Sequence, residues 1–168
     1  MKATTIFSTC IFFLMVNCIY AQETKGGLIW QTDIMKANEI SKSTGKPIFA
    51  FFTGSDWCGW CHKLQKDVFS KNTFIAWAKK NVVLVELDFP RKKQLTPELT
   101  QQNTGLQQAL QVQGYPTIWL LYLNKEKDDK NFSISTLGSL GYPRGAELGK
   151  EEVKFLDEAD AILKKGKQ

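Results

Sequence analysis

Histidine is nearly missing from this sequence, with His62 the single copy, and the four cysteines occur only as two close groups, Cys10 with Cys18 and Cys58 with Cys61. Past residue 21 the candidate soft ligands are therefore Cys58, Cys61 and His62, one short of the four Cys or His that a closed structural zinc site takes. Two cysteines three positions apart also exclude a scaffold stapled by several disulfides. No apolar run after residue 21 approaches the roughly 20 residues of a membrane-spanning helix. Basic residues exceed acidic ones by 22 to 17, but no basic block is interleaved with aromatics. The charge reads as a solvated surface, and no nucleic-acid partner is expected. With no internal repeat, low-complexity tract or linker-like segment, the 168 residues suit one domain.

The first 21 residues stand apart. Lys2 precedes an apolar stretch from Ile6 to Tyr20, and a small residue, Ala21, lies before the polar run Gln22-Glu23-Thr24-Lys25-Gly26-Gly27. That pattern predicts a secretory signal peptide over 1–21, cut after Ala21. A lipoprotein signal ending at Cys18 is the weaker alternative, because Asn17 is a poor residue before a lipidated cysteine. Residues 22–27 are expected to be a flexible mature N-terminus, followed by one domain over 28–168. Export removes Cys10 and Cys18, so the mature chain keeps Cys58 and Cys61 as its thiols.

Along the domain, Leu28-Ile29-Trp30 reads as a short strand or aromatic anchor. Thr32 or Asp33 is the candidate cap of a helix carrying Ile34, Ala37 and Ile40 on one face and ending at Gly45-Lys46-Pro47. Ile48 to Phe52 and Val82 to Asp88 are continuous enough in apolar residues to be strands buried on both faces. Trp57, Cys61, Leu64 and Val68 fall on one helical stripe. A break near Ser70 to Asn72 precedes a helix over Thr73 to Lys80. Thr96-Pro97-Glu98 is a helix start, with that helix running to about Val112. Ile118 to Leu123 is a third strand, Asn124 to Asn131 a charged turn and Phe132 to Leu140 an antiparallel neighbour. Glu147 to Lys165 is an amphipathic helix carrying Val153, Leu156, Ala159 and Leu163. The order βαβα(α)βαββα predicts a three-layer α/β/α domain with a central mixed sheet.

Within this frame the run Phe51-Phe52-Thr53-Gly54-Ser55-Asp56-Trp57-Cys58-Gly59-Trp60-Cys61-His62 places two cysteines where a strand hands over to a helix. The free amides and positive dipole end of a helix start favour thiolate over thiol. A second cysteine one turn later is placed to close a disulfide. Three other readings stand beside a redox pair. An inert structural disulfide would close only a four-residue loop and contribute little. A c-type haem fits the CxxCH letters, but with no second histidine its other axial ligand would be Met35 or a lysine. A binding module or chaperone that keeps the pair without turnover is the third. Asp56 and His62 read as a turn residue and a cap-side residue.

The cysteine motif after the first long strand, together with Tyr115-Pro116-Thr117 before the next-to-last, resembles the thioredoxin superfamily over residues 28–165. The wording Phe-Thr-Gly-Ser-Asp-Trp-Cys-x-Trp-Cys and Glu86-Leu87-Asp88-Phe89-Pro90 is most similar to secreted bacterial disulfide reductases and isomerases of the DsbH type. The resemblance implies a thioredoxin fold, Cys58 as exposed nucleophile, Cys61 as resolving thiol and Pro116 as a cis-proline beside the disulfide. It also implies substrate contact by Trp57, Gly59, Trp60, Tyr115 and Pro116, no cofactor, and work as a periplasmic or secreted monomer. Its partners would be disulfide-containing exported proteins and a redox protein that recharges the dithiol. Two positions depart from thioredoxin itself. Trp60 stands where thioredoxins carry proline, and Phe52 where they carry a buried aspartate, which leaves Glu86 or water to assist the resolving cysteine.

Overall fold

A computed structural model describes residues 23–125 and 132–166. The expected signal peptide, and most of the charged turn before Phe132, lie outside the described residues. The chain begins with strands β1 (Glu23–Lys25) and β2 (Leu28–Trp30), then α1 (Ile34–Thr44), β3 (Ile48–Thr53) and α2 (Gly59–Leu64). Helix α2 continues as one π-helical turn, Gln65–Phe69, and leads to α3 (Asn72–Asn81) and β4 (Val83–Asp88). Helix α4 (Pro97–Ala109), β5 (Thr117–Lys125), β6 (Phe132–Leu140) and α5 (Glu151–Lys165) complete the domain.

The main sheet has the order β4-β3-β5-β6, with β3 parallel to β4 and antiparallel to β5, and β5 antiparallel to β6. This is the expected mixed sheet. Every residue of β3 and of β4 is buried, because helices cover both faces. Alternation along β3 divides its side chains between two cores. Ile48, Ala50 and Phe52 join Ile34, Ala37, Val85, Leu87 and Leu110 on the side of α1 and α4. Phe49 and Phe51 join Trp30, Cys61, Leu64, Phe69, Phe74 and Phe155 on the side of α2, α3 and α5. The second core is built of crossed rings, with Phe49 edge-on to Phe69 at 5.7 Å and Phe51 edge-on to Phe69 at 5.1 Å.

Several local expectations meet the structure directly. Asp33 caps α1 by accepting from the Met35 and Lys36 amides at 2.7 and 3.3 Å. Thr96 caps α4, with Pro97 as its first residue. Other features add to or correct the local readings. Within residues 22–27, expected to be a flexible N-terminus, β1 pairs with β2 across Gly26 and Gly27. Both glycines have positive φ, 59° and 77°, as a two-residue hairpin turn of the I′ kind requires. Trp57 is not part of the stripe that buries Cys61, Leu64 and Val68, because it precedes the helix and folds the other way. The π-helical turn, closed by the Ser70 amide on the Gln65 carbonyl at 2.9 Å, adds a residue to the turn. That extra residue brings Phe69 into the core beside Val68. On α5 Ala159 is buried and Leu156 and Leu163 pack against the core as expected, but Val153 is 49% exposed and the fully buried ring is Phe155.

Phe155 is fully buried against Phe49, Phe69 and Phe74. Replacing it with alanine is expected to remove about 3–5 kcal/mol of stability, read from chemical denaturation; a loss below ~1 kcal/mol would show that α5 is not anchored by this ring.

Candidate active site

The two cysteines form a disulfide at the β3–α2 junction, with their Cα atoms 5.2 Å apart. Cys58 is the residue that caps α2, and its sulfur accepts the Cys61 amide at 3.2 Å. The Cys58 carbonyl accepts from the Cys61 and His62 amides at 3.0 and 3.1 Å. Cys61 is wholly buried and Cys58 keeps 5% of its surface. The expectation of an exposed Cys58 is thus corrected to a narrow slot, although Cys58 is the accessible member of the pair. Both sulfurs are bonded to each other, and His62 Nε2, 2.8 Å from the Ser55 carbonyl, donates to that oxygen. Those commitments run against the haem-tether reading of the same five residues.

Two loops wall the slot. On one side, the segment after β3 is tied to the segment after β4 by reciprocal carboxylates. Asp88 accepts from the Ser55 amide at 2.8 Å and the Ser55 hydroxyl at 2.6 Å. Asp56 accepts from the Arg91 and Lys92 amides at 3.0 and 2.7 Å. Those amides hold the Asp56 carboxyl below the ordinary aspartate value of 3.8. Trp57 completes the tie by donating from Nε1 to the Phe89 carbonyl at 2.8 Å. Its indole lies over Gly54. A Cβ there would stand 2.8 Å from Trp57 Cζ2 and closer still to Cε2, so only glycine admits the ring.

Aromatic stacking carries this wall into the core. Trp57 meets Tyr115 edge-on at 5.8 Å, Tyr115 stacks on Phe89 at 5.3 Å, and Phe89 stacks on Phe52 at 6.3 Å. Phe52, at the position where a carboxylate was missed, is therefore the buried end of a ring ladder. The Tyr115–Pro116 peptide bond is cis, as the resemblance implied. Burial pushes the Tyr115 hydroxyl's pKa upward, and that hydroxyl accepts from Gln107 Nε2 at 2.8 Å.

On the other side, Trp60 is 49% exposed and meets Tyr142 edge-on at 5.1 Å. Tyr142 donates to Asp67 at 2.8 Å, and Asp67 also pairs with Lys63. Asp67 and Tyr142 together hold Lys63 above the ordinary lysine range, and Lys63 and Tyr142 in turn hold Asp67 below the ordinary aspartate range. Of the predicted site residues, the structure brings Trp57 together with Tyr115, and places Gly59 and Trp60 in the first turn between the cysteines. Sequence reasoning missed Gly54, Phe89, Arg91, Tyr142 and Arg144. Only Gly54 and the basic character of the loop after Phe89 carried any signal, since the others arrive from distant segments.

A mixed four-stranded sheet with a disulfide at the strand-to-helix junction and a cis-proline loop packed beside it defines a thioredoxin-fold disulfide oxidoreductase. Comparison with known proteins is consistent with this. Residues 34–125, more than half the chain, match the family described as "Thioredoxin-like domain", and the chain belongs to that family. It is 34% identical over 123 residues to the disulfide bond reductase DsbH of Chlamydia pneumoniae, covering 67% of this chain and 74% of that protein. It is 26% identical over 167 residues to the thioredoxin-related protein DsbJ of Chlamydia pneumoniae, of which it spans 46%. Its fold superposes on a solved DsbH oxidoreductase with a TM-score of 0.65 at 26% identity, covering 97% of this chain and 95% of the other. A thioredoxin from Thermus thermophilus, at 16% identity and a TM-score of 0.53, shares the fold. The protein is accordingly a DsbH-like disulfide oxidoreductase, and Cys58-Cys61 is its cysteine pair.

Because Asp56 is held below its ordinary pKa, its folded-state tether is present at neutral and mildly acid pH and is lost as pH falls through a value below 3.8. The Arg91 and Lys92 amide resonances are expected to titrate with a midpoint below 3.8 and to lose that step in Asp56→Asn. A midpoint at or above 3.8 would mean that the amides do not engage the carboxylate.

Proposed function

We propose that the protein is an exported reductase of protein disulfides, with Cys58 as the attacking thiolate and Cys61 as the resolving thiol. The observation that carries this assignment is the asymmetry of the pair. Cys58, at the cap of α2, keeps 5% of its surface, while Cys61 is wholly buried. The Cys61 amide that Cys58 Sγ accepts would stabilise negative charge on that sulfur, together with the helix start.

In the forward direction Cys58 thiolate attacks one sulfur of a substrate disulfide. The substrate S–S bond breaks, its leaving sulfur departs as thiolate and takes a proton from solvent, and a mixed disulfide links Cys58 to the substrate. Cys61 then loses its proton and attacks Cys58 Sγ. The Cys58–Cys61 bond forms, the second substrate sulfur leaves, and two electrons have passed from protein to substrate. The disulfide state seen here is the product of that sequence. A thiol or dithiol donor must return two electrons before the next turnover.

The rim residues serve the first step. Trp57, Trp60, Tyr115 and cis-Pro116 make an apolar slot around the sulfur, and Gly59 keeps the first turn free of a side chain. The likeness to a named disulfide bond reductase supports reduction over isomerisation. The signal-like sequence of residues 1–21 supports export, and no helix among the described residues is long and apolar enough to cross a membrane.

Cys61→Ser is expected to accumulate thiol-labile mixed disulfides with oxidised protein substrates, visible as adducts on non-reducing gels. Cys58→Ser should form none. Adducts that persist in Cys58→Ser, or fail to appear in Cys61→Ser, would overturn the assignment of roles.

A further inference from the structure

We propose that the site selects substrate disulfides flanked by acidic residues, a specificity that rests on the reductase reading above. The observation is a pair of arginines set over the two exposed tryptophans of the slot. The Arg91 guanidinium lies 3.8 Å from the centre of the Trp57 ring, and that of Arg144 lies 5.6 Å from the centre of Trp60. Arg91 follows β4 and Arg144 follows β6, the two outer strands of the sheet. The cations therefore stand over the tryptophans on either side of Cys58, one after each outer strand.

Each contact leaves the donors needed for recognition available. A guanidinium over an indole meets it by charge, and its N–H groups lie in its own plane. Those in-plane donors match a carboxylate in two-point geometry. Both arginines are exposed, and among the described residues neither guanidinium is in an ion pair.

The acids near the slot are engaged inside the protein. Asp56 is spent on the Arg91 and Lys92 amides, Asp67 on Lys63 and Tyr142, and Asp88 on Ser55 and on Lys93 at 3.0 Å. On the Arg91 flank a surface pocket of about 400 Å³, lined by Asp88, Phe89, Arg91, Lys93 and Asn103, gives an acidic side chain room to enter. An extended peptide crossing the slot advances about 3.3 Å per residue, so one cysteine in the slot places neighbours on both flanks within reach of an arginine each. A single small anion has no such span, and the arrangement favours a peptide.

The test is the rate of reduction of a peptide series with one disulfide, identical except that its flanking residues are glutamate, glutamine or lysine. Oxidised glutathione serves as the small anionic arm. At low ionic strength kcat/KM is expected to be about ten-fold higher for the acidic than for the basic peptide, with the advantage shrinking as salt is added. Arg91→Gln combined with Arg144→Gln should bring the acidic-to-basic ratio close to one. Equal rates for all three peptides in the wild type, or an unchanged ratio in the double variant, would overturn the selectivity while leaving the reductase reading intact. Faster reduction of oxidised glutathione than of the acidic peptide would overturn the peptide assignment. No reduction of any member, the neutral peptide included, would overturn the reductase reading itself and this inference with it.

Discussion

The hydrogen bond from the Cys61 amide to the Cys58 sulfur, at 3.2 Å, is the contact around which the site is arranged. It exists because β3 ends at Thr53, the chain turns through Gly54 to Trp57, and α2 begins with Cys58 as its cap. A sulfur in the capping position has two properties at once. It shares the Cys61 amide with its own residue's carbonyl, and it stands at the end of the helix that welcomes negative charge. The second cysteine, one turn further, is then carried into the core with Leu64 and Val68, where solvent does not reach it. The proposed order of attack rests on that difference in access.

The cap needs a rigid surround, and the protein supplies it from both outer strands. Asp88 and Asp56 exchange hydrogen bonds between the segments that follow β3 and β4, so neither loop moves without breaking the other's anchor. Trp57 is pinned over Gly54 by the Phe89 carbonyl and backed by the ladder of Tyr115, Phe89 and Phe52. Across the slot, Trp60 rests on Tyr142, which is held by Asp67. The substitution of Phe52 for a carboxylate is thus a gain of packing on this wall as well as the loss of a polar group.

The buried strands were legible because covering helices on both faces demand runs of apolar residues, which Ile48 to Phe52 and Val82 to Val85 supply in plain letters. The caps Asp33 and Thr96 were legible for a local reason, the reach of a short oxygen to an amide two or three residues on. The cysteine pair and cis-Pro116 were legible as a pattern of spacing and resemblance. What stayed hidden was whatever depended on distant segments or on frame. Arg91, Tyr142 and Arg144 are unremarkable loop residues until the sheet order brings β4 and β6 to the two flanks. On α5 Leu156, Ala159 and Leu163 of the expected stripe pack against the core, but Phe155 keeps helical spacing with Ala159 too, and only the position of the Phe49, Phe69 and Phe74 rings chooses it over Val153. The N-terminal hairpin was obscured by the polar run around Gly26 and Gly27, whose composition resembles a loose tail.

The proposed reductase role requires the Cys58-Cys61 pair to give electrons to substrates. A strongly oxidising pair requires a reduced form that is greatly stabilised, usually by charge facing the thiolate. Here the cap offers the Cys61 amide, His62 Nε2 is spent on the Ser55 carbonyl, and Arg91 lies on the face of Trp57. The direct measurement is the equilibrium potential of the Cys58/Cys61 couple against glutathione. The account predicts a value at the reducing end, near the about −270 mV of thioredoxin. A value near the about −120 mV of a dedicated oxidant would contradict it.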